Sequence, residues 1–178
     1  KRQGSVSASV VSHASCPVVV VREDNHVTDS TKYGPVVVGV DGSEVSQKAT
    51  AYAFREAQAR GAALIAVHTW MDMQVQASLA GLSAAQSEWA DIEKEQSELL
   101  TENLKEPREE YPEVEVKKLI TRDRPVSALT EAAEGAQLLV VGSHGRGGFK
   151  GMLLGSTSRA LLQSAPCPMM VVRPDEES

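Results

Sequence analysis

The sequence predicts a doubly wound α/β domain, a parallel sheet covered by helices on both faces. Short continuous apolar runs alternate along the chain with longer segments whose apolar residues recur at helical spacing. Polar or glycine-containing segments separate the two kinds of segment, as they do where strands meet crossover helices. Continuous apolar strands indicate burial on both faces, and right-handed crossovers place helices on each side.

Each element follows in order from residue 35. The predicted strands are residues 36–40, 64–68, 114–120, 138–141 and 168–172. Helices are predicted between them, and Pro107 is expected to end the long second helix, while Pro125 opens the third. Lys117 and Lys118 interrupt the third strand, which is typical of a strand at a sheet edge.

The composition limits the classes of function open to the chain. Of 178 residues 42% are hydrophobic, which suits one domain with an appendage. A formal net charge of -6 and the lack of a clustered basic face argue against a nucleic-acid partner. No apolar run approaches the ~20 residues that span a bilayer. We expect a cytoplasmic protein with no membrane segment, and we expect Cys16 and Cys167 to be unpaired, buried thiols.

An internal repeat divides the chain into domains. Residues 4–22 recur without a gap as residues 155–173, with Gly-Ser at the start of each copy and Cys-Pro before each apolar run. Residues 1–22 are therefore predicted to be one helix and one strand, the tail of a first copy of the domain. Residues 23–34 are polar, lack an apolar period and form the predicted linker. Residues 35–178 are the predicted complete domain.

A glycine-rich segment follows the fourth predicted strand of this domain. It reads Gly142, two residues, Gly145, nine residues, then Gly155 and Ser156. Glycines let backbone N–H groups approach an anion, and the N-terminus of the next helix adds N–H donors and a positive dipole end. Ser156 and Thr157 add hydroxyl groups. Because ligands of doubly wound sheets bind beyond the carboxyl ends of the strands, this segment predicts a phosphate-binding site.

This spacing, with an aspartate ending the first strand, resembles the ATP-binding branch of the universal stress protein family over residues 35–173. The resemblance implies a Rossmann-like, five-stranded parallel sheet in the order 3-2-1-4-5 that binds ATP with Mg²⁺, or AMP or cyclic AMP in its place. The end of the second strand, His68-Thr69, resembles the position whose backbone contacts the adenine in the family. The predicted nucleotide-binding residues are Asp41, Thr69, Gly142, Gly145, Arg146, Gly155, Ser156 and Thr157.

Several side chains near this motif have two interpretations. Asp41 contacts the nucleotide, directly or through Mg²⁺, or caps the first helix of the domain, and both roles are compatible. Arg146 and Lys150 either neutralise phosphate charge or are ordinary exposed residues. Asp123 stands where relatives often carry glycine, and it adds negative charge near the expected site. His68 ends an apolar strand and is expected to be packed and hydrogen-bonded.

The resemblance also implies a partner for residues 1–22. In the family the last strands of two domains pair across a dimer axis, and in tandem members they do so within one chain. We therefore expect residues 18–22 to pair antiparallel with residues 168–172, or to swap into another copy of the chain. The result would be a tandem pseudo-dimer or a homodimer.

The predicted function is adenine-nucleotide binding in stress response and signalling, with at most slow ATP hydrolysis. The sequence places no obvious general base, so no catalytic residue is predicted. Two alternatives stay open. One is an ATP hydrolase or adenylyl-transferring enzyme of related fold, and the other is a purely structural dimerisation module.

Overall fold

The computed structural model describes residues 5–25, 32–70, 86–146 and 153–175. Within these ranges the strands are β1 (Val18–Val20), β2 (Val36–Gly39), β3 (Leu64–Thr69), β4 (Val116–Thr121), β5 (Leu138–Gly142) and β6 (Met169–Val172). The helices are α1 (Ser5–His13), α2 (Glu44–Arg60), α3 (Gln86–Glu110), α4 (Pro125–Ala132) and α5 (Ser156–Ser164). No helix in these ranges combines the length and the apolar composition that crossing a membrane requires.

All six described strands form one sheet in the order β1-β6-β5-β2-β3-β4. The strands from β2 to β6 are parallel to their neighbours, and Val36 of β2 pairs with Leu64 on one side and Leu138 on the other. Counted from β2, their order is the predicted 3-2-1-4-5, with the lysine-bearing β4 at one edge. The predicted α/β class and doubly wound topology are confirmed. The sheet also gains a sixth strand, β1, which is antiparallel.

The core consists of two apolar layers, one on each face of the sheet. Val37 points into the layer beneath α4 and α5, whereas Val36 and Val38 point into the layer beneath α2 and α3. This alternation follows from the two-residue period of a strand, and it explains why β2 has no polar face. Phe54 of α2 is fully buried in the second layer. Truncation of a side chain in such a position costs about 3–5 kcal/mol of stability.

The long helix α3 differs from its prediction at the C-terminal end. Pro107 lies inside the helix, which continues to Glu110. Proline removes one N–H and disturbs the turn that precedes it, but the residues that follow can still donate to carbonyls one turn back. The N–H of Tyr111 donates to the carbonyl of Pro107 at 2.9 Å, so the backbone turns once more after the proline.

Residues 5–22 pack onto the edge of the sheet as one helix and one strand. Val18, Val19 and Val20 pair with Val171, Met170 and Met169, respectively. The predicted antiparallel pairing with the last strand is confirmed, within the chain itself. In the internal repeat, Val19 and Met170 are equivalent residues. The two copies of the repeat therefore meet symmetrically about this central pair, as in an isologous interface.

Side chains from both copies reinforce this pairing. Val11 of α1 is 1% exposed and joins the apolar layer that contains α5. Arg22 donates to the carbonyl of Gln163 at the end of α5, and Arg173 donates to the carbonyl of Ala14 after α1 at 3.1 Å. Since Arg22 and Arg173 are equivalent in the repeat, each copy supplies an arginine to the C-terminal end of the other copy's helix.

The two cysteines have different environments. Both are free thiols, but Cys167 is buried while Cys16 is exposed, so the prediction that both are buried is wrong for Cys16. Cys167 precedes β6, which lies between β5 and β1, whereas Cys16 precedes β1 at the edge of the described sheet. Burial raises the pKa of the Cys167 thiol to about 11. The cytoplasmic location inferred from unpaired cysteines stays a prediction.

Candidate functional site

The candidate site lies at the carboxyl edge of the sheet, where β2 and β5 end side by side. From β2 the chain crosses to β3 on one side, and later returns to β5 on the other side. Loops that leave β2 and β5 therefore diverge to opposite faces and open a crevice between them. The chain places Asp41 just after β2, and it places Ser143 to Arg146 just after β5.

Asp41 joins the two loops at this edge. Its Oδ1 accepts hydrogen bonds from the backbone N–H of Ser43 at 2.9 Å and from the hydroxyl of Ser43 at 2.6 Å. Its Oδ2 accepts one from the backbone N–H of Arg146 at 3.1 Å. Burial acts to raise the pKa of Asp41, but these hydrogen bonds outweigh it and hold the pKa below the ordinary value of 3.8. Asp41 is thus an ionised carboxylate that ties the β5 loop to the β2 loop.

Ser43 performs the capping that was considered for Asp41. It is the N-cap of α2, and its Oγ accepts a hydrogen bond from the N–H of Ser46 at 3.2 Å. Asp41 lies two residues before this N-cap, and its carboxylate instead orients the capping serine. The interpretation of Asp41 as the cap of this helix is therefore wrong, because the N-cap is Ser43.

Two glycines allow the loops to approach this closely. A Cβ on Gly145 would overlap the Oδ2 atom of Asp41. Gly42 has a φ of 80°, and a Cβ there would lie 2.5 Å from Nη2 of Arg146. Any larger residue at Gly145 must displace the carboxylate, and at Gly42 it must also adopt a strained left-handed backbone. The side chain of Arg146 therefore lies across the β2 loop.

The end of β5 is tied to the start of α5. The N–H of Gly155 donates to the carbonyl of Ser143 at 2.7 Å, and the hydroxyl of Ser158 donates to the carbonyl of Gly142 at 2.7 Å. A Cβ on Gly155 would come within 3.1 Å of the Cα of His144. Gly155 is the N-cap of α5 and provides no side-chain cap. The first-turn amides of α5, beginning at Ser156, are therefore directed toward the loop after β5.

The structure brings most of the predicted site residues to one edge. Asp41, Gly145 and Arg146 contact one another. Gly142, Gly155, Ser156 and Thr157 lie at the junction of β5 and α5. Thr69 ends β3 and pairs with Thr121 of β4, so it lies on the same sheet edge but on the other side of β2. Lys150 lies outside the described residues.

A buried polar pair, His68 and Gln96, contacts the backbone just before Asp41. His68 is 3% exposed, with Nδ1 2.7 Å from the carbonyl oxygen of Val40 and Nε2 2.8 Å from the side-chain amide of Gln96. The prediction that His68 is packed and hydrogen-bonded is confirmed. The contact of Gln96 with His68 was not predicted from the sequence. The position of Gln96, four residues before the buried Leu100, nevertheless assigns it to the inner face of α3.

The described residues contain no group of three or more His, Cys, Asp or Glu side chains placed to hold a metal ion. A Mg²⁺ ion at Asp41 would therefore need ligands from elsewhere, such as nucleotide phosphates and water. Asp41 suits that role chemically because it is ionised and oxygen is the ligand that Mg²⁺ prefers.

The parallel sheet, with helices on both faces and a switch point between β2 and β5, places the chain among the doubly wound α/β proteins. Residues 32–173 match the Universal stress protein family, and the chain belongs to that family. The universal stress protein Rv2005c of Mycobacterium tuberculosis is 47% identical over 170 residues, covering 96% of the chain and 56% of that protein. A universal stress protein of Mycolicibacterium smegmatis is 45% identical over 171 residues, covering 96% and 56%. The chain spans about half the length of these curated relatives.

Solved structures share the fold. A universal stress protein from Archaeoglobus fulgidus aligns with a TM-score of 0.63 at 22% identity, over 99% of this chain and 56% of that chain. A universal stress protein in complex with cAMP aligns with a TM-score of 0.50 at 26% identity, over 79% of this chain and 97% of that chain. The first comparison concerns the fold alone, and the second adds a relative that holds an adenine nucleotide.

Proposed function

We propose that the chain binds ATP or a related adenine nucleotide at the carboxyl edge of β2 and β5, and that it acts in stress signalling rather than in catalysis. The observation that carries this proposal is the junction of β5 and α5. There the first turn of α5 has no side-chain cap and is held beside a glycine-containing loop. Such amides form a site for an anionic group. The relative in complex with cAMP supports an adenine nucleotide as the source of that anion.

Each site residue has a distinct part in this proposal. The N-terminus of α5 and the hydroxyls of Ser156 and Thr157 donate hydrogen bonds to the phosphates. The guanidinium of Arg146 lies beside the β2 loop at the same edge of the sheet, where it neutralises phosphate charge. Thr69 is assigned to the adenine side of the crevice because it ends the strand on the other side of β2. Asp41 holds Mg²⁺ when the nucleotide brings it, and the ion then offsets phosphate charge.

The two halves of the internal repeat suggest how the site is used. We propose that residues 5–22 represent the end of a first domain, and that their pairing with β6 reproduces a contact between two domains of a tandem protein or between two subunits. The symmetric register about Val19 and Met170 supports this proposal. Because β6 is adjacent to β5, a nucleotide at the β5 loop lies one strand from the domain contact. Bound nucleotide would then change the state of that contact.

The experiment that tests the binding proposal is denaturation of the purified chain, followed by chromatographic identification of any released nucleotide. We expect ATP, AMP or cyclic AMP in an amount no greater than one per chain. If the preparation releases none, addition of each nucleotide to the native protein completes the test. The proposal is wrong if none of them binds at millimolar concentration.

A further inference from the structure

Val40 is the last residue before Asp41, and it lies just beyond the end of β2. Its N–H donates to the carbonyl of Val67 on β3 at 2.8 Å, which continues the sheet for one more bond. Its own carbonyl oxygen accepts a hydrogen bond from Nδ1 of His68 at 2.7 Å. Both backbone polar groups of Val40 are therefore bonded to β3. Its N–H is bonded to the backbone of Val67, and its carbonyl is bonded to the imidazole of His68.

The imidazole of His68 is itself fixed in place. Its Nε2 lies 2.8 Å from Oε1 of the Gln96 side-chain amide, and Gln96 is 5% exposed. The buried ring thus has a polar partner at each nitrogen. A buried polar pair of this kind costs stability unless every group is satisfied, and a satisfied pair fixes orientation more firmly than apolar packing does. The contact also links α3 to the strand end that carries Asp41.

We propose that His68 is a positioning residue for the nucleotide site, acting through the carbonyl of Val40 on the carboxylate of Asp41. The Val40 carbonyl can only accept, so Nδ1 carries the hydrogen. A neutral ring then pairs with Gln96 when the side-chain amide presents its NH₂ group rather than Oε1 to Nε2. This inference rests on the proposed function, because the carboxylate it positions is part of the proposed site. It differs from a purely structural role in one respect: the bond at Nδ1, rather than the bulk or polarity of the side chain, determines nucleotide affinity.

Two matched substitutions separate these roles. In His68→Asn the side-chain amide nitrogen can occupy the place of Nδ1 and donate to Val40, whereas in His68→Gln it reaches toward Gln96 and leaves Val40 without its donor. Both replacements are neutral amides in the same buried position, so their costs in stability should be similar. We expect His68→Gln to weaken binding of Mg-ATP roughly tenfold and His68→Asn to weaken it by less than about threefold.

A control variant corrects for general loss of stability. Leu138 is buried at the amino end of β5, opposite the site, so Leu138→Val should lower stability and leave nucleotide affinity unchanged. Calorimetry gives the affinities, and urea unfolding gives the stabilities. Equal affinities for His68→Asn and His68→Gln, or weaker binding by His68→Asn, would overturn the positioning role.

A second readout does not depend on nucleotide. The amide of Arg146 donates to Asp41, so its ¹H–¹⁵N signal in the nucleotide-free protein reports where the carboxylate lies. We expect this signal to move in His68→Gln and to stay near its wild-type position in His68→Asn. If the wild-type protein bound no nucleotide, the proposed function and the effect on affinity would fail together. An Arg146 signal that moved only in His68→Gln would then still show that His68 places the Asp41 carboxylate through Val40. An Arg146 signal unmoved in both variants overturns the positioning role.

Discussion

At the scale of single residues, Asp41 connects the two loops that form the candidate site. It accepts hydrogen bonds from Ser43 in its own loop and from Arg146 in the β5 loop. The carboxylate therefore shapes the site even in the absence of ligand. The prediction that Asp41 contacts nucleotide or Mg²⁺ stays open, and it is compatible with this structural part because an ionised carboxylate can accept more than three hydrogen bonds.

Substitution of Asp41 by Asn should change how stability depends on pH. The pKa of Asp41 is lower in the folded chain than its ordinary value of 3.8, so the ionised group stabilises the fold above that pH. This contribution is lost as the pH falls through and below 3.8. We expect Asp41→Asn to lower the free energy of unfolding at pH 7 by about 1–2 kcal/mol. In urea unfolding, the difference from wild type should shrink in acid, and a difference that grew there would contradict the assignment.

Gly145 should tolerate no side chain without loss of binding. A Cβ on Gly145 meets the carboxylate of Asp41, so Gly145→Ala must separate the two loops. We expect nucleotide affinity to fall at least tenfold, or about 1.4 kcal/mol. Gly39→Ala is the matched control, because the atoms nearest to a Cβ there are side-chain methyl groups of Leu129 and Val141, at 3.3 Å or more. Equal affinities of the two variants in calorimetry would show that this contact has no part in binding.

At the scale of elements, the N-terminus of α5 allows a test in which stability and binding change in opposite directions. Ser156 is exposed in the first turn of α5, which has no side-chain cap. A carboxylate there favours the helix dipole and stabilises the fold by about 0.5 kcal/mol, yet it repels a phosphate group. We expect Ser156→Glu to raise the melting temperature and to weaken nucleotide binding.

The neutral variant Ser156→Gln is the control for this prediction. It has nearly the same size as Ser156→Glu but no charge, so it should give neither the stabilisation nor the full loss of binding. Thermal unfolding and calorimetry on both variants measure the two effects. If both variants bound nucleotide equally, the phosphates would not lie at the N-terminus of α5.

The helix-strand unit of α1 and β1 gives a second prediction at this scale. Val11 is 1% exposed and packs in the layer shared with α5, whereas its neighbour Val10 is 48% exposed. We expect Val11→Ala to speed hydrogen exchange in β1 while leaving exchange in β3 unchanged, because it weakens only the docking of the unit. Val10→Ala should change neither. In the wild-type chain, hydrogen exchange in β1 as fast as exchange in residues 22–25 would contradict the docking of this unit.

Elements could be predicted from the sequence where the pattern is local. Runs such as residues 36–40 indicated buried strands, and the repeat of residues 4–22 indicated a helix and a strand there. The resemblance to the family, rather than a local pattern, implied that β1 would pair with β6. Three features could not be predicted in the same way. The passage of α3 through Pro107 depends on packing, the exposure of Cys16 depends on its position at a sheet edge, and Gln96 meets His68 only because two distant elements pack together.

At the scale of the whole molecule, the order of the strands explains why the site is where it is. The strand order reverses between β2 and β5, so the Asp41 loop and the loop after β5 leave the sheet on opposite sides and the candidate site lies between them. The sequence predicted this edge because the glycine-rich segment follows a strand and precedes a helix. It could not predict that Gly145 accommodates Asp41, since that contact joins residues far apart in the chain.

Calorimetric titration of the purified chain with Mg-ATP, AMP and cyclic AMP tests the central claim most directly. The matched variant is Gly155→Val, in which the added side chain meets the backbone of His144 and blocks the approach to the α5 N-terminus. We predict that wild-type protein binds at least one of these nucleotides with one site per chain, and that the variant loses this binding while remaining folded. No heat of binding from any nucleotide at millimolar concentration, or unchanged affinity in the variant, would contradict the claim.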